Sequence, residues 1–110
     1  MIRNVRHVSD VIQRKTKWNR RRSRHWRSTR KHFIKENPKC EVCGAKRGLE
    51  VHHILPFHIA PERELDFANL ATLCKTCHLF VGHLRSYNHY NKEFWLDVST
   101  WKEKIKESRR

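Results

Sequence analysis

Two Cys-x-x-Cys pairs, Cys40/Cys43 and Cys74/Cys77, constrain this chain more than any other feature. Thiolates three positions apart reach one ion from a single turn, and two such pairs make the closed tetrahedral site that structural zinc occupies. Thirty residues separate the pairs, more than a simple zinc ribbon uses, so the ion clips together the ends of a long excursion. A redox role explains one Cys-x-x-Cys pair but not two. The chain needs such a clip, because 110 residues of which 37% are hydrophobic bury little core on their own. MIRNVRHVSD at the start lacks the apolar stretch of a secretory signal, and no run approaches membrane-spanning length. A reducing, cytoplasmic compartment is therefore expected, with no membrane partner, and it favours metal over disulfides.

The formal charge of +14 calls for a polyanionic partner, and nucleic acid is the usual one. Residues 1–36 hold thirteen Lys/Arg against Asp10 and Glu36. Val11, Trp18, Trp26 and Phe33 recur at helical spacing, with Ile12 and Ile34 widening the stripe. Ser9 is a candidate cap, and Asn37-Pro38 ends the helix. One long helix is expected, or two with a break near Trp18-Asn19. The opposite face carries Arg20, Arg21, Arg22, Arg24, Arg27, Arg30 and Lys31, a density suited to phosphate contacts. The tryptophans read as core anchors.

Cys40-Glu-Val-Cys-Gly44 reads as a tight knuckle whose glycine supplies the permissive backbone. Leu49–Leu55 alternates as a strand, Pro56 ends it, and residues 56–68 read as a loop. Leu70–Leu73 is a second short strand, and a helix runs from Lys75 to about Leu84 with His78 near its start. Beyond it, Phe94, Val98, Trp101 and Ile105 share one face of a final helix. Asn91 or Thr100 is its candidate cap, with Glu103 completing a capping box from Thr100.

The order of the cysteine frame, His52-His53 on the first strand, Asn69 and the cysteine-flanked His78 resembles the HNH endonuclease family over residues 40–83. That resemblance implies a small α+β protein: a ββα-metal (His-Me finger) core stapled by a four-cysteine zinc site, with helices on either side. It divides the chain into a basic DNA-binding arm (1–38), the nuclease core (39–85) and a helical extension (86–110). It implies His53 as general base, His52 and His78 as ligands of a catalytic divalent ion, and Asn69 as a tether of the loop between the strands. A further helix ligand four residues after the first occurs in some members. Here the candidate is His83, at five, which a regular helix turns away from His78. Gly82 permits a local distortion that restores it. Many members carry aspartate where His52 stands. Histidine softens the site toward Mn2+, Ni2+, Co2+ or Zn2+ relative to Mg2+.

The chemistry asks for the same set. Phosphodiester hydrolysis needs an activated water in line with the leaving 3′ oxygen and a cation against the developing charge. Histidine is suited to take the water's proton near neutral pH. Adjacent strand residues point to opposite faces, so His52 and His53 serve one phosphate from two sides and do not share an ion. Of the remaining histidines, His7, His25, His32, His58 and His89 default to surface or packing roles. Two readings follow: a metal-dependent nuclease acting on double-stranded DNA, and a non-catalytic zinc-stapled DNA-binding module. The first accounts for His52, His53, Asn69 and His78 together. Apolar residues on both terminal helices allow a homodimer. The basic arm and the CHLFVGH continuation resemble small phage or prophage members, which implies a bacterial or phage origin and packaging proteins as partners.

Overall fold

The computed structural model describes residues 22–109. Helix α1 (Trp26–Glu36) leads into the first cysteine turn. Strand β1 (Leu49–His53) pairs antiparallel with β2 (Leu70–Cys74), and two short 3-10 turns, Pro61–Arg63 and Phe67–Asn69, break up the loop between them. A single α-turn, α2 (Lys75–Cys77), runs on as a π-helical segment, His78–Gly82. Helix α3 (Phe94–Ser108) follows. The protein is thus a small α+β fold around a two-stranded sheet, as the sequence implies. Among the described residues no helix is long and apolar enough to cross a membrane.

Strand alternation sends the two central histidines to opposite sides. In the register His52 sits opposite Ala71 and His53 opposite Leu70. On the His53 side, Val51 and Leu70 pack with Phe33, with Trp26, Ile34 and Phe67 against them, so α1 covers that face. On the His52 side, Ala71 and Leu73 pack with Val81, Phe94 and Val98, and with Cys40 and Val42 of the cysteine knuckle. Each large apolar side chain so buried contributes about 1.5–3 kcal/mol, and Phe94 with Val98 is what holds α3 on the sheet. Both faces of a two-stranded sheet are therefore covered, and neither histidine is left on an open surface.

Several local expectations are corrected. The arm helix begins only at Trp26, because Arg22 and Ser23 are irregular and Arg24-His25 turns. The Ser23 backbone N–H donates to the buried Glu64 carboxylate at 3.0 Å, and the His25 N–H donates to Ser23 Oγ at 3.0 Å, which commits this stretch to a turn. Ser9, Val11, Ile12, Trp18, Arg20 and Arg21 lie outside the described residues. Strand β1 ends at His53, two residues before Leu55, whose backbone pairs with the Asn69 side chain instead of a strand. Helix α3 starts after Glu93, so neither Asn91 nor Thr100 is its N-cap. Asn91 Oδ1 accepts the Glu93 N–H just outside the helix. Thr100 lies inside it, its hydroxyl donating to the Leu96 carbonyl, so there is no capping box with Glu103. Trp101, expected on the packed face of that helix, is 49% exposed, while Phe94 and Val98 are buried.

Candidate functional site

The four cysteine sulfurs lie within 4.8 Å of one another, and none forms a disulfide. The Gly44 N–H donates to the Cys40 carbonyl at 3.0 Å, and Gly44 takes a φ of +77°, which closes the knuckle tightly enough to aim both thiols inward. The second pair sits on the first turn of α2, where the Cys77 N–H donates to Cys74 Sγ at 3.5 Å. Burial first, then the neighbouring Cys74 and Cys40 sulfurs, push the Cys77 thiol up. Four thiols crowded this way fit a cation that takes them as thiolates, and the spacing and softness of the set fit zinc.

A second cluster joins the two secondary-structure units of the core. One ring nitrogen each of His52, His78 and His83 lies within 4.8 Å of the others. His52 is fully buried, and neither of its ring nitrogens has a hydrogen-bond partner. A buried imidazole with no partner is costly, so this ring is suited to a ligand role. Burial, then the His78 and His83 rings beside it, lower its pKa to about 3, which keeps it neutral with a lone pair to offer. His78 donates from Nδ1 to Glu50 Oε1 at 2.7 Å, and His83 donates from Nδ1 to the His89 carbonyl at 2.8 Å. Carboxylate and carbonyl only accept, so Nδ1 is the donor in both rings. Their Nε2 atoms face each other at 3.2 Å. Two lone pairs at that distance repel unless a cation or proton lies between them, and outer-shell acceptors of this kind are how metal-binding histidines are oriented. The donor set therefore fits a divalent ion of the borderline class.

The approach of His83 depends on the π-helical winding. A π-turn hydrogen-bonds i to i+5, so position 83 returns over position 78, whereas a regular helix would carry it round the axis. Gly82 makes the segment pass close to β1: a Cβ there would lie 3.0 Å from His52 Cε1 and Nδ1. Leu84 and Arg85 then take positive φ values of 53° and 77°, and the Arg85 N–H returns to the Leu79 carbonyl at 2.9 Å. This left-handed reversal, costly for residues other than glycine, stops the helix directly after His83.

His53 stands on the other face. Its Nε2–H donates to the Glu64 carbonyl at 2.9 Å, which leaves Nδ1 as the acceptor. Trp26 packs against the ring in a tilted arrangement, 4.5 Å between centroids. Burial lowers the His53 pKa, with the Arg22 charge adding to it and the Glu64 carbonyl opposing, so the ring is neutral at neutral pH. Asn69 is buried and clamps the loop between the strands: Oδ1 accepts from the Leu55 N–H at 2.8 Å, and Nδ2 donates to the carbonyls of Leu55 (3.1 Å) and Arg63 (3.2 Å).

A groove of about 670 Å³ is lined by His53 and Trp26 together with His78, His83 and Tyr87. Arg22 and Arg30 are exposed along it, and the Arg22 guanidinium lies 4.5 Å over the Phe57 ring. Arg24, in the turn before α1, and Arg27 and Lys31 on α1 are exposed but do not line the groove. Sequence reasoning missed Glu50, Glu64, Tyr87 and the carbonyl of His89. Glu50 carried a signal, since it shares a strand face with His52 two positions on. Glu64 carried none, because its role depends on a chain segment forty residues away. His58 and His89 are exposed, as expected of surface residues; His58 lines the groove, and the His89 backbone carbonyl accepts from His83.

An antiparallel strand pair with a histidine on each face, leading into a helix that brings two more, defines a ββα-metal core. The profile of the HNH endonuclease family matches residues 40–83, about two fifths of the chain. A Saccharomyces cerevisiae protein described as the COX1/OXI3 intron 2 protein is 37% identical over 59 residues, covering 44% of this chain. The chain spans 7% of the length of that relative. No solved structure gives a significant match.

Proposed function

We propose that the protein is a metal-dependent endonuclease that hydrolyses phosphodiester bonds of double-stranded DNA. The observation that carries this reading is the approach of the Nε2 atoms of His78 and His83 to 3.2 Å beside the unpartnered ring of His52. These three residues hold one divalent ion, with Mn2+, Ni2+, Co2+ and Zn2+ suited to an all-imidazole set and Mg2+ less so. The bound ion supplies positive charge against the scissile phosphate and the departing 3′ oxygen. His53 Nδ1 takes the proton of the attacking water as its oxygen bonds to phosphorus and the bond to the 3′ oxygen breaks. The Glu64 carbonyl holds His53 in the tautomer that can do so. Asn69 keeps the loop that carries Glu64 in place. Cys40, Cys43, Cys74 and Cys77 hold a structural zinc.

The arm of residues 1–38 supplies affinity through phosphate contacts from Arg20, Arg21, Arg22, Arg24, Arg27, Arg30 and Lys31, ahead of the core (39–85) and the extension (86–110). Of these, Arg22 and Arg30 border the groove and are suited to the phosphates next to the cut. A bacterial or phage cytoplasm, phage packaging proteins as partners and a homodimer through the terminal helices complete the reading. Nicking of supercoiled plasmid by zinc-loaded protein with Mn2+ or Ni2+, abolished by a chelator that leaves the zinc in place, is the expected result. Tight DNA binding with no cleavage under any of these ions would leave the zinc-stapled binding module as the function.

A further inference from the structure

The family match stops at His83, yet the group that orients His83 comes from beyond it. The π-helical segment ends with the carbonyls of Val81 and Gly82 facing the returning chain. Asn91 meets both: Nδ2 donates to the Val81 carbonyl at 2.9 Å and its backbone N–H donates to the Gly82 carbonyl at 3.1 Å. The same amide donates to Asp97 Oδ2 in the first turn of α3 at 2.8 Å, and Oδ1 accepts the Glu93 N–H at 2.9 Å. Asn91 is 4% exposed and its bond to the Val81 carbonyl is fully buried, so that bond is costly to lose. Two residues before it stands His89, whose carbonyl accepts from His83 Nδ1.

We propose that Asn91 is a positioning residue for the histidine cluster, joining the π-helical segment to α3 so that the His89 carbonyl stays opposite His83 Nδ1. The inference rests on the reading of His52, His78 and His83 as holders of one divalent ion. The chemistry is that of tautomer control. While the His89 carbonyl is fixed, the proton of His83 stays on Nδ1 and Nε2 is free to bind. When the loop of residues 84–90 loses its anchor, the ring can turn, or carry its proton on Nε2, where it blocks the ion. On this account the extension is part of the site, because α3 supplies Asp97 as the far end of the anchor.

The test is calorimetric titration of Ni2+ into the zinc-loaded full chain, which reads the ion site without DNA or turnover. Asn91→Ala is expected to weaken Ni2+ binding by about tenfold or more, the scale of outer-shell losses at histidine sites. In a His83→Ala background the same substitution is expected to cause no further loss, since its effect passes through His83. Asp97→Ala, which keeps Asn91 and removes one acceptor, should act in the same direction by less, and its cycle with His83→Ala decides the matter if Asn91→Ala does not fold. Wild-type affinity in Asn91→Ala, or an equal loss in both backgrounds, would overturn the proposal while leaving the ion site intact. A wild-type chain that binds no Ni2+ beyond its zinc would overturn the reading of the cluster, and this inference with it.

Discussion

Replacing Gly82 by alanine separates the needs of the ion from the needs of the fold. The added Cβ would sit 3.0 Å from His52 Cε1 and Nδ1 and 3.3 Å from His78 Cδ2. Carbon contacts are favourable from about 3.5 Å, so the His52 ring has to retreat by about half an ångström. Phe94 stands behind it at 4.9 Å between centroids, which limits the retreat. Overpacking of this kind costs about 1–3 kcal/mol. Gly82 does not use a positive φ, unlike Gly44 and Gly48, so alanine recovers about 1 kcal/mol of helical preference there. Folding should therefore lose only about 0–2 kcal/mol. The ion gains nothing from that compensation. A ligand displaced by half an ångström exceeds the tolerance of about 0.2 Å of a coordination bond. A penalty of about 1–3 kcal/mol corresponds to roughly 5- to 150-fold weaker binding. Calorimetric titration of Ni2+ into zinc-loaded protein, beside a thermal melt, measures both quantities. Affinity within twofold of wild type would refute the close-approach argument, because the methyl would then have found room without moving His52.

His53→Ala should keep zinc, fold and DNA binding while lowering cleavage about a hundredfold or more, and added metal should not restore it. His52→Ala or His78→Ala should recover part of its activity in excess Mn2+, since a weakened site refills by mass action; metal rescue of His53→Ala would show the roles to be reversed. Cys40→Ser should abolish the cooperative thermal transition and the zinc found by metal analysis, because ligand binding at such a site is folding energy. The folded pKa of His52, about 3, lies below its unfolded value of about 6.5, so the unfolded chain takes up the extra proton as pH falls. Stability of the zinc-loaded protein should drop below about pH 6.5, by up to about 1.4 kcal/mol per unit from this residue. His52→Leu should flatten that slope in melts run from pH 7 to 5.5, and equal slopes in the two proteins would assign the pH dependence elsewhere.

The legible parts of this fold were those governed by short periodicities. The cysteine spacing points to the staple, and strand alternation puts His52 and His53 on different faces. His83 was legible only as a spacing that a regular helix does not satisfy, resolved by a π-turn next to a glycine. What stayed hidden depended on contacts distant in sequence. Nothing local to Ser23 predicts that Glu64 will draw its backbone N–H away from a helix. Nothing local to Trp101 distinguishes it from Phe94 or Ile105, since all fall on the same stripe, yet Phe94 is buried, Ile105 packs on the core and Trp101 is exposed. Arg20 and Arg21 remain known by residue type alone.

The pairing of β1 with β2 has a meaning beyond stability. Side chains on a strand alternate, so sliding one partner by a single residue would turn His53 toward the ion cluster and His52 toward Trp26. A five-residue ladder is short enough for such slippage to matter. Asn69 stands directly before β2 and holds both the N–H and the carbonyl of Leu55, two residues past the end of β1. It thus acts as a stop on the ladder, and the side chain that ties down the loop is also what keeps His52 and His53 from exchanging sides.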